Sequence, residues 1–157
     1  AVPHVRELEE MADRDGAHDV QAVFEDVQSL MWEHAGILRD EATLEAGLDE
    51  LATVRARAAD MDVGSITSES FELAVDVGFM LTAAEAVLRA ALHRTESRGA
   101  HYRTDHPETD PDQQHNIHYR EVDVGTMAHS TRAVDRPSPA VQRALDDDHE
   151  LDYHQLE

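Results

Sequence analysis

Phe71-Glu72-Leu73-Ala74-Val75-Asp76-Val77-Gly78-Phe79-Met80-Leu81-Thr82-Ala83-Ala84-Glu85-Ala86-Val87-Leu88-Arg89-Ala90-Ala91 is the longest periodic segment of the 157-residue chain. Within it Ala74, Val77, Leu81, Ala84, Leu88 and Ala91 recur at alternating steps of three and four, the spacing that lines one face of an α-helix. Leu73, Met80 and Val87 add a flanking row, and a stripe this wide needs two neighbours. Helical periodicity also places Met80 and Phe79 in a core stripe rather than in a cofactor pocket. Asp76, Glu85 and Arg89 interrupt the run, which excludes a membrane span of about 20 apolar residues.

Two partners stand upstream. Val20, Val23, Phe24, Val27, Leu30 and Met31 predict one amphipathic helix that begins after Ala17 and ends near Gly36. Asp40 as N-cap, with Glu41 in the positive first turn, opens a second helix striped by Leu44, Leu48, Leu51 and Val54 and running to about Asp60. Gly64-Ser65-Ile66-Thr67-Ser68 supplies a turn and another capping residue. The prediction is a mainly α fold: an antiparallel three-helix bundle over residues 17–100, followed by a short β-hairpin and an irregular acidic tail. Residues 1–16 read as a peripheral leader, with a short helix from Pro3 to Asp13 that Gly16 ends.

After Gly99 the character changes. Pro107 and Pro111 interrupt a polar connector that cannot continue a helix. Ile117, Tyr119, Glu121 and Val122, the turn Asp123-Val124-Gly125, and Thr126 to Val134 predict a hairpin at about 116–134 within the segment 101–157. Two strands alone are marginal in water, so the hairpin is expected to lie against other protein surface. Ser138 to Leu145 predicts one or two helical turns before the tail.

Charge is the strongest compositional signal. Thirteen basic residues, all of them Arg, face 34 acidic ones, for a net charge of −21. So many carboxylates on a small surface repel one another and destabilise the compact state, unless salt shortens the Debye length to about 3 Å at 1 M. The composition therefore points to a salt-adapted protein and disfavours nucleic acid as a partner, since phosphate binding needs a basic stripe. Cysteine is absent, which removes disulfides, thiolate metal sites and cysteine nucleophiles together. Ala1-Val2-Pro3-His4 carries neither an initiator Met nor a targeting signal and is expected to be a cut inside a longer protein.

No constellation in the chain announces catalysis. There is no Gly-x-Gly-x-x-Gly unit, and without Lys there is no Walker lysine. His101, His106, His115 and His118 cluster, but in an extended segment His115 and His118 point to opposite faces and do not converge on a metal. Asp105, Asp110 and Asp112 lack the glycine and distal Glu of a calcium loop. Ser97 and His101 can be arranged on paper as a hydrolase pair, yet nothing like a nucleophile elbow surrounds Ser97. On physics alone Glu96-Ser97-Arg98-Gly99-Ala100-His101 is a helix end, with Gly99 in the left-handed region and Arg94 and Arg98 complementing the dipole. No catalytic, cofactor-binding or metal-binding residue is assigned.

That string nevertheless continues in a specific way, through Tyr102, Arg103, Asp105 and Pro107, and so resembles the hallmark of the C-terminal domain of succinate dehydrogenase and fumarate reductase flavoproteins. L-aspartate oxidases carry a similar string. Met31-Trp32-Glu33-His34-Ala35-Gly36-Ile37-Leu38-Arg39 resembles the end of the first bundle helix in the same families. His115-Asn116-Ile117-His118-Tyr119 and Val122-Asp123-Val124-Gly125-Thr126 resemble the closing hairpin of succinate dehydrogenase flavoproteins, which aspartate oxidases generally lack.

The resemblance implies a parent enzyme that oxidises succinate to fumarate by hydride transfer to FAD and passes electrons to an iron-sulfur subunit. FAD and substrate would lie in FAD-binding and capping domains outside this chain, so the fragment alone is expected to be inactive and free of cofactor. Arg39, Glu96, Arg98 and His101 are the candidate contacts with those domains. The implied location is the cytoplasm, with the complex peripheral to the inner face of the cell membrane and this chain making no direct membrane insertion. The alternatives are the corresponding domain of a fumarate reductase or an L-aspartate oxidase, or a free-standing acidic helical binding module.

Overall fold

The computed structural model describes residues 8–123 and 125–146. Three helices dominate: α1 (Val20–His34), α2 (Glu41–Ala58) and α3 (Glu69–His93). Each starts where a short polar side chain satisfies a free backbone N–H. Asp19 accepts from Ala22 at 2.9 Å, Asp40 from Thr43 at 2.8 Å and Ser68 from Phe71 at 3.1 Å. The fold is mainly α, as the periodicity predicts.

The three helices pack pairwise around one core. Val20, Val23, Val27 and Leu30 of α1 meet Leu44, Leu51 and Val54 of α2 and Phe71, Ala74, Val77, Leu81, Ala84, Leu88 and Ala91 of α3. The whole predicted α3 stripe is buried, and truncating Leu88 or Leu44 to Ala should cost about 2 to 5 kcal/mol. One core assignment is corrected: Phe79 is 71% exposed, because it lies outside the buried row of Val77, Leu81 and Ala84, while Met80 packs on the core edge. Val87 of the flanking row is likewise exposed.

Glu85, which interrupts the hydropathic run, is buried in α3 between Arg55 of α2 and Arg89, each at 2.8 Å. Arg57 of α2 pairs with Asp26 of α1.

Short parallel pairings tie the ends of the three helices. β1 (His18–Asp19) pairs with β3 (Met61–Asp62), which sets the start of α1 beside the end of α2. β2 (Leu38–Arg39) pairs with β4 (Tyr102–Arg103), which sets the start of α2 beside the chain leaving α3. At the first of these ends, residues 8–11 are helical, and the expected helix start at Pro3 falls outside the described residues. The helix stops at Met11, short of the expected Asp13. Met11 and Ala12 pack on the core, and Asp13 N–H donates to the Gly64 carbonyl at 2.7 Å. The described part of the leader is therefore stitched to the α2–α3 connection and is not peripheral.

The hairpin consists of β5 (His115–Asp123) and β6 (Thr126–Ala133), paired from His115↔Ala133 to Asp123↔Thr126 with an irregularity at Glu121/Asp123. His115, Ile117, Tyr119 and Glu121 are half-buried and alternate with exposed neighbours. The surface that covers the hairpin belongs to α3. Tyr119 Oη donates to the Arg89 carbonyl at 3.2 Å, Thr82 Oγ1 donates to Glu121 at 3.3 Å, and the His93 and His129 rings lie 4.7 Å apart. A short helix, α4 (Pro139–Asp146), follows, and the acidic tail after it lies outside the described residues. No helix among the described residues is long and apolar enough to cross a membrane.

Candidate functional site

The motif residues gather at the end of the helices where β2 and β4 meet. α3 ends at His93, earlier than the sequence suggests, because Arg94 adopts an extended conformation with φ −84° and ψ 106°. Gly99 therefore does not terminate the helix. Its φ of 59° serves a tight turn in which Arg98 and His101 exchange backbone hydrogen bonds at 2.8 and 3.0 Å. Nor do Arg94 and Arg98 sit in the last helical turn.

Arg103 takes over the helix terminus. Only 1% exposed, it directs Nη1 at the carbonyls of Ala91, Leu92 and Arg94 at 3.0, 3.3 and 3.1 Å. A cation there complements the negative end of the α3 dipole. Its remaining edge grips Asp105, which also accepts the Glu41 N–H at the start of α2 at 2.9 Å. The Arg103 guanidinium holds the Asp105 carboxyl well below the usual carboxylate range, with the Glu41 N–H adding to the effect.

Glu96 is fully buried, and its carboxylate is saturated. Oε1 accepts from Arg94 Nη1 at 2.6 Å and Arg98 Nε at 2.8 Å; Oε2 accepts from Arg98 Nη2 at 3.0 Å and the Asp110 N–H at 2.7 Å. The Arg98 hydrogen bonds first, then the Asp110 N–H and Arg94, outweigh the cost of burial and lower its pKa from 4.5 to about 2. Arg94 and Arg98 spend their other donors on the carbonyls of Gln113, His115 and Asp110. The polar connector is thereby fastened to the segment that leaves α3.

Arg39 and His101 meet from opposite sides of the β2–β4 pairing. Arg39 donates from Nε to the Gly36 carbonyl at 2.7 Å, from Nη2 to the Ala35 carbonyl at 3.1 Å and from Nη1 to His101 Nδ1 at 2.8 Å. A guanidinium has no acceptor, so Nδ1 carries the lone pair and the imidazole proton is on Nε2. Nε2 is buried and makes no hydrogen bond among the described residues. Burial and the adjoining Arg39, Arg103 and Arg94 charges push the His101 pKa below its ordinary value, against the Arg94 carbonyl.

The arrangement positions charges without leaving a reactive one. Ser97 Oγ accepts from the Arg103 N–H at 2.9 Å and donates to the His106 carbonyl at 2.8 Å, so its proton is committed, and His101 faces Arg39 instead. Asp105 is held by Arg103, and Asp110 caps Asp112 N–H at 2.9 Å. His115 lies on the inner hairpin face and His118 on the outer one. No three His, Asp or Glu side chains among the described residues form a metal-ligand set.

FAD does not fit the described residues. The paired parallel strands are two residues long, and none leads into a glycine-rich turn whose N–H groups could face a pyrophosphate. Of the four singled-out residues, Glu96 with Arg98 and Arg39 with His101 are brought together as two pairs. Sequence reasoning missed Arg103, Asp105 and Arg94 as the organisers. The available signal was the Arg103-x-Asp105 spacing in an extended segment just after a long helix.

Residues 24–144 match the family described as fumarate reductase flavoprotein C-term. A component of the fumarate reductase (CoM/CoB) of Methanothermobacter marburgensis is 35% identical over 124 residues, 73% of this chain and 22% of that protein. L-aspartate oxidase of Pyrococcus furiosus is 42% identical over 83 residues, 53% of this chain and 14% of that protein. The Mycobacterium smegmatis Sdh1 complex in the apo form superposes with a TM-score of 0.77 at 25% identity, covering 95% of this chain and 27% of that one. The chain thus spans less than a third of the length of each of these relatives. With the motif end built as described and most of its length matched, this chain belongs to the family of C-terminal domains of fumarate reductase and succinate dehydrogenase flavoprotein subunits.

Proposed function

We propose that the chain is the non-catalytic scaffold domain of a flavoprotein subunit that oxidises succinate to fumarate, with FAD held in the part of the polypeptide that precedes it and electrons passed to an iron-sulfur subunit. The observation that carries this reading is the family match over residues 24–144 together with a motif end whose carboxylates, Glu96 and Asp105, are held by Arg94, Arg98 and Arg103 of the same chain. Cofactors carry the chemistry in such enzymes, and the protein supplies orientation and enclosure. The helices read as an antiparallel three-helix bundle over residues 17–100, preceded by the leader 1–16 and closed by the segment 101–157. Arg39, Arg98 and His101 face the neighbouring FAD-binding and capping domains in this reading, and the buried Glu96 acts through Arg98. The parent complex would lie peripheral to the inner face of the cell membrane.

The span of the matches supports a succinate or fumarate enzyme over an aspartate oxidase. Three fumarate reductase relatives align over 109 to 124 residues and four L-aspartate oxidases over 81 to 99. Fumarate reduction is the second reading, favoured by that reductase being among the relatives.

The complete subunit, expressed from its full reading frame, tests both. It should carry a flavin spectrum and reduce a dye with succinate, whereas the 157-residue chain mixed with FAD at high salt should retain no flavin absorbance. Stoichiometric FAD binding by the chain alone would overturn the scaffold role. Faster turnover of fumarate with a reduced dye would favour the second reading.

A further inference from the structure

Trp32, Ile37 and Leu38 are 86%, 78% and 67% exposed, an unusual concentration of large apolar side chains within seven residues. Tyr102, the register partner of Leu38 across β2–β4, extends the patch. These residues flank an open concavity that reaches Ala100 and Arg39, the edge of the motif end. Glu33 is the one carboxylate among its lining residues, in a chain that carries 34 acidic residues in 157. A protein that solvates itself with carboxylates has left this face with a single one.

The covering surface must be large and belong to the same system. The matched relatives are several times longer than this chain, which accounts for 22% of one and 27% of another. Resting on the function proposed above, we infer that the Trp32–Ile37–Leu38 face is the seat on which the flavin-bearing body of the same polypeptide docks. The apolar side chains supply the buried centre of that contact, and Arg39 supplies its polar rim. Trp32 is the anchor, because a large rigid aromatic at the centre of an interface contributes most and loses little conformational freedom.

The chain's single tryptophan makes the inference testable by oxidative footprinting. In the 157-residue chain Trp32 should be modified readily; in the complete, flavin-retaining subunit its modification should fall to a small fraction of that. Equal modification in a subunit that holds flavin overturns the docking face while leaving the family function intact. A complete subunit without flavin removes the parent reading and this inference with it. Sedimentation of the isolated chain covers the remaining occupant: a dimer that Trp32→Glu dissociates would make the face a contact between copies and overturn the proposal. Finally, Leu38→Asp should leave the melting of the isolated chain unchanged yet speed proteolytic release of this domain from the complete subunit by about tenfold. Unchanged release also overturns it.

Discussion

Arg103 holds Asp105 through two hydrogen bonds, 2.7 Å from Nε and 2.6 Å from Nη2, and the pair joins the last carbonyls of α3 to the first turn of α2. Removing the carboxylate strands a guanidinium that is 1% exposed. Asp105→Ala is therefore expected to destabilise the domain by about 3 to 5 kcal/mol, measured by urea unfolding at high salt. Arg103→Lys should recover only part of the loss of Arg103→Ala, because an ammonium keeps the charge but cannot span three carbonyls and a carboxylate at once.

Glu96 sets the acid limit. Its pKa is lowered from 4.5 to about 2, so the folded form binds the proton less tightly than the unfolded chain. The stabilisation is fully present above about pH 4.5 and is lost as pH falls toward about 2, a contribution of about 3 kcal/mol. Glu96→Gln should remove a comparable amount at neutral pH and flatten the stability profile across that window. A profile with unchanged slope would show that Glu96 is not the group responsible.

The contact between α3 and the hairpin responds to a higher pH range. His93 packs 4.7 Å from His129, and burial first, then the neighbouring His129, His115 and Arg94 charges, push its pKa below 6.5. The folded form thus disfavours the proton, and hairpin docking weakens as pH falls below about 6.5 and through the lowered folded value. Proton NMR titration of the imidazoles should place His93 below its ordinary value, and His129→Ala should move it back up. Protection factors of the β5 amides, the observed exchange rates corrected for the pH dependence of intrinsic exchange, should be lower at pH 5 than at pH 8.

Much of the fold is legible because it rests on periodicity. The buried α3 row is the one that steps of three and four select, and Asp40 and Ser68 cap helices as their chemistry predicts. Phe79 departs from expectation because a wide stripe does not reveal its own edges. The end of α3 departs for a different reason: Gly99 and the flanking arginines make a good local helix terminus, but Arg103, nine residues beyond Arg94, supplies the cap from another strand. Glu85 shows the same limit, since its partner Arg55 comes from α2. Local grammar finds elements; ion pairs between elements are invisible to it.

Gly16 does not end a helix but permits a close approach. It sits where a Cβ would lie 2.3 Å from the Asp60 carbonyl oxygen and 2.5 Å from Met61 backbone atoms. Backbone cannot swing aside as a side chain can. Gly16→Ala should cost at least about 1 to 3 kcal/mol in chemical denaturation by prising β1 from β3, whereas a helix-terminating role would cost less.

The net charge of −21 makes ionic strength a test of stability. Repulsion among exposed carboxylates weakens as the Debye length shrinks, from about 10 Å at 0.1 M to about 3 Å at 1 M. Thermal melts in increasing KCl should show a rising Tm that levels off once screening is complete. A flat response would remove the inference of salt adaptation.

The Arg103–Asp105 lock also has a consequence for the order of synthesis. The residues that join the ends of α2 and α3 are encoded after both helices, so a ribosome releases the three helical segments before the clasp that fixes them. During that interval apolar faces are exposed with only loose mutual packing. A nascent chain halted after His93 is expected to be compact but protease-sensitive, and one extended past Asp110 resistant, since Glu96 then also finds its N–H donor.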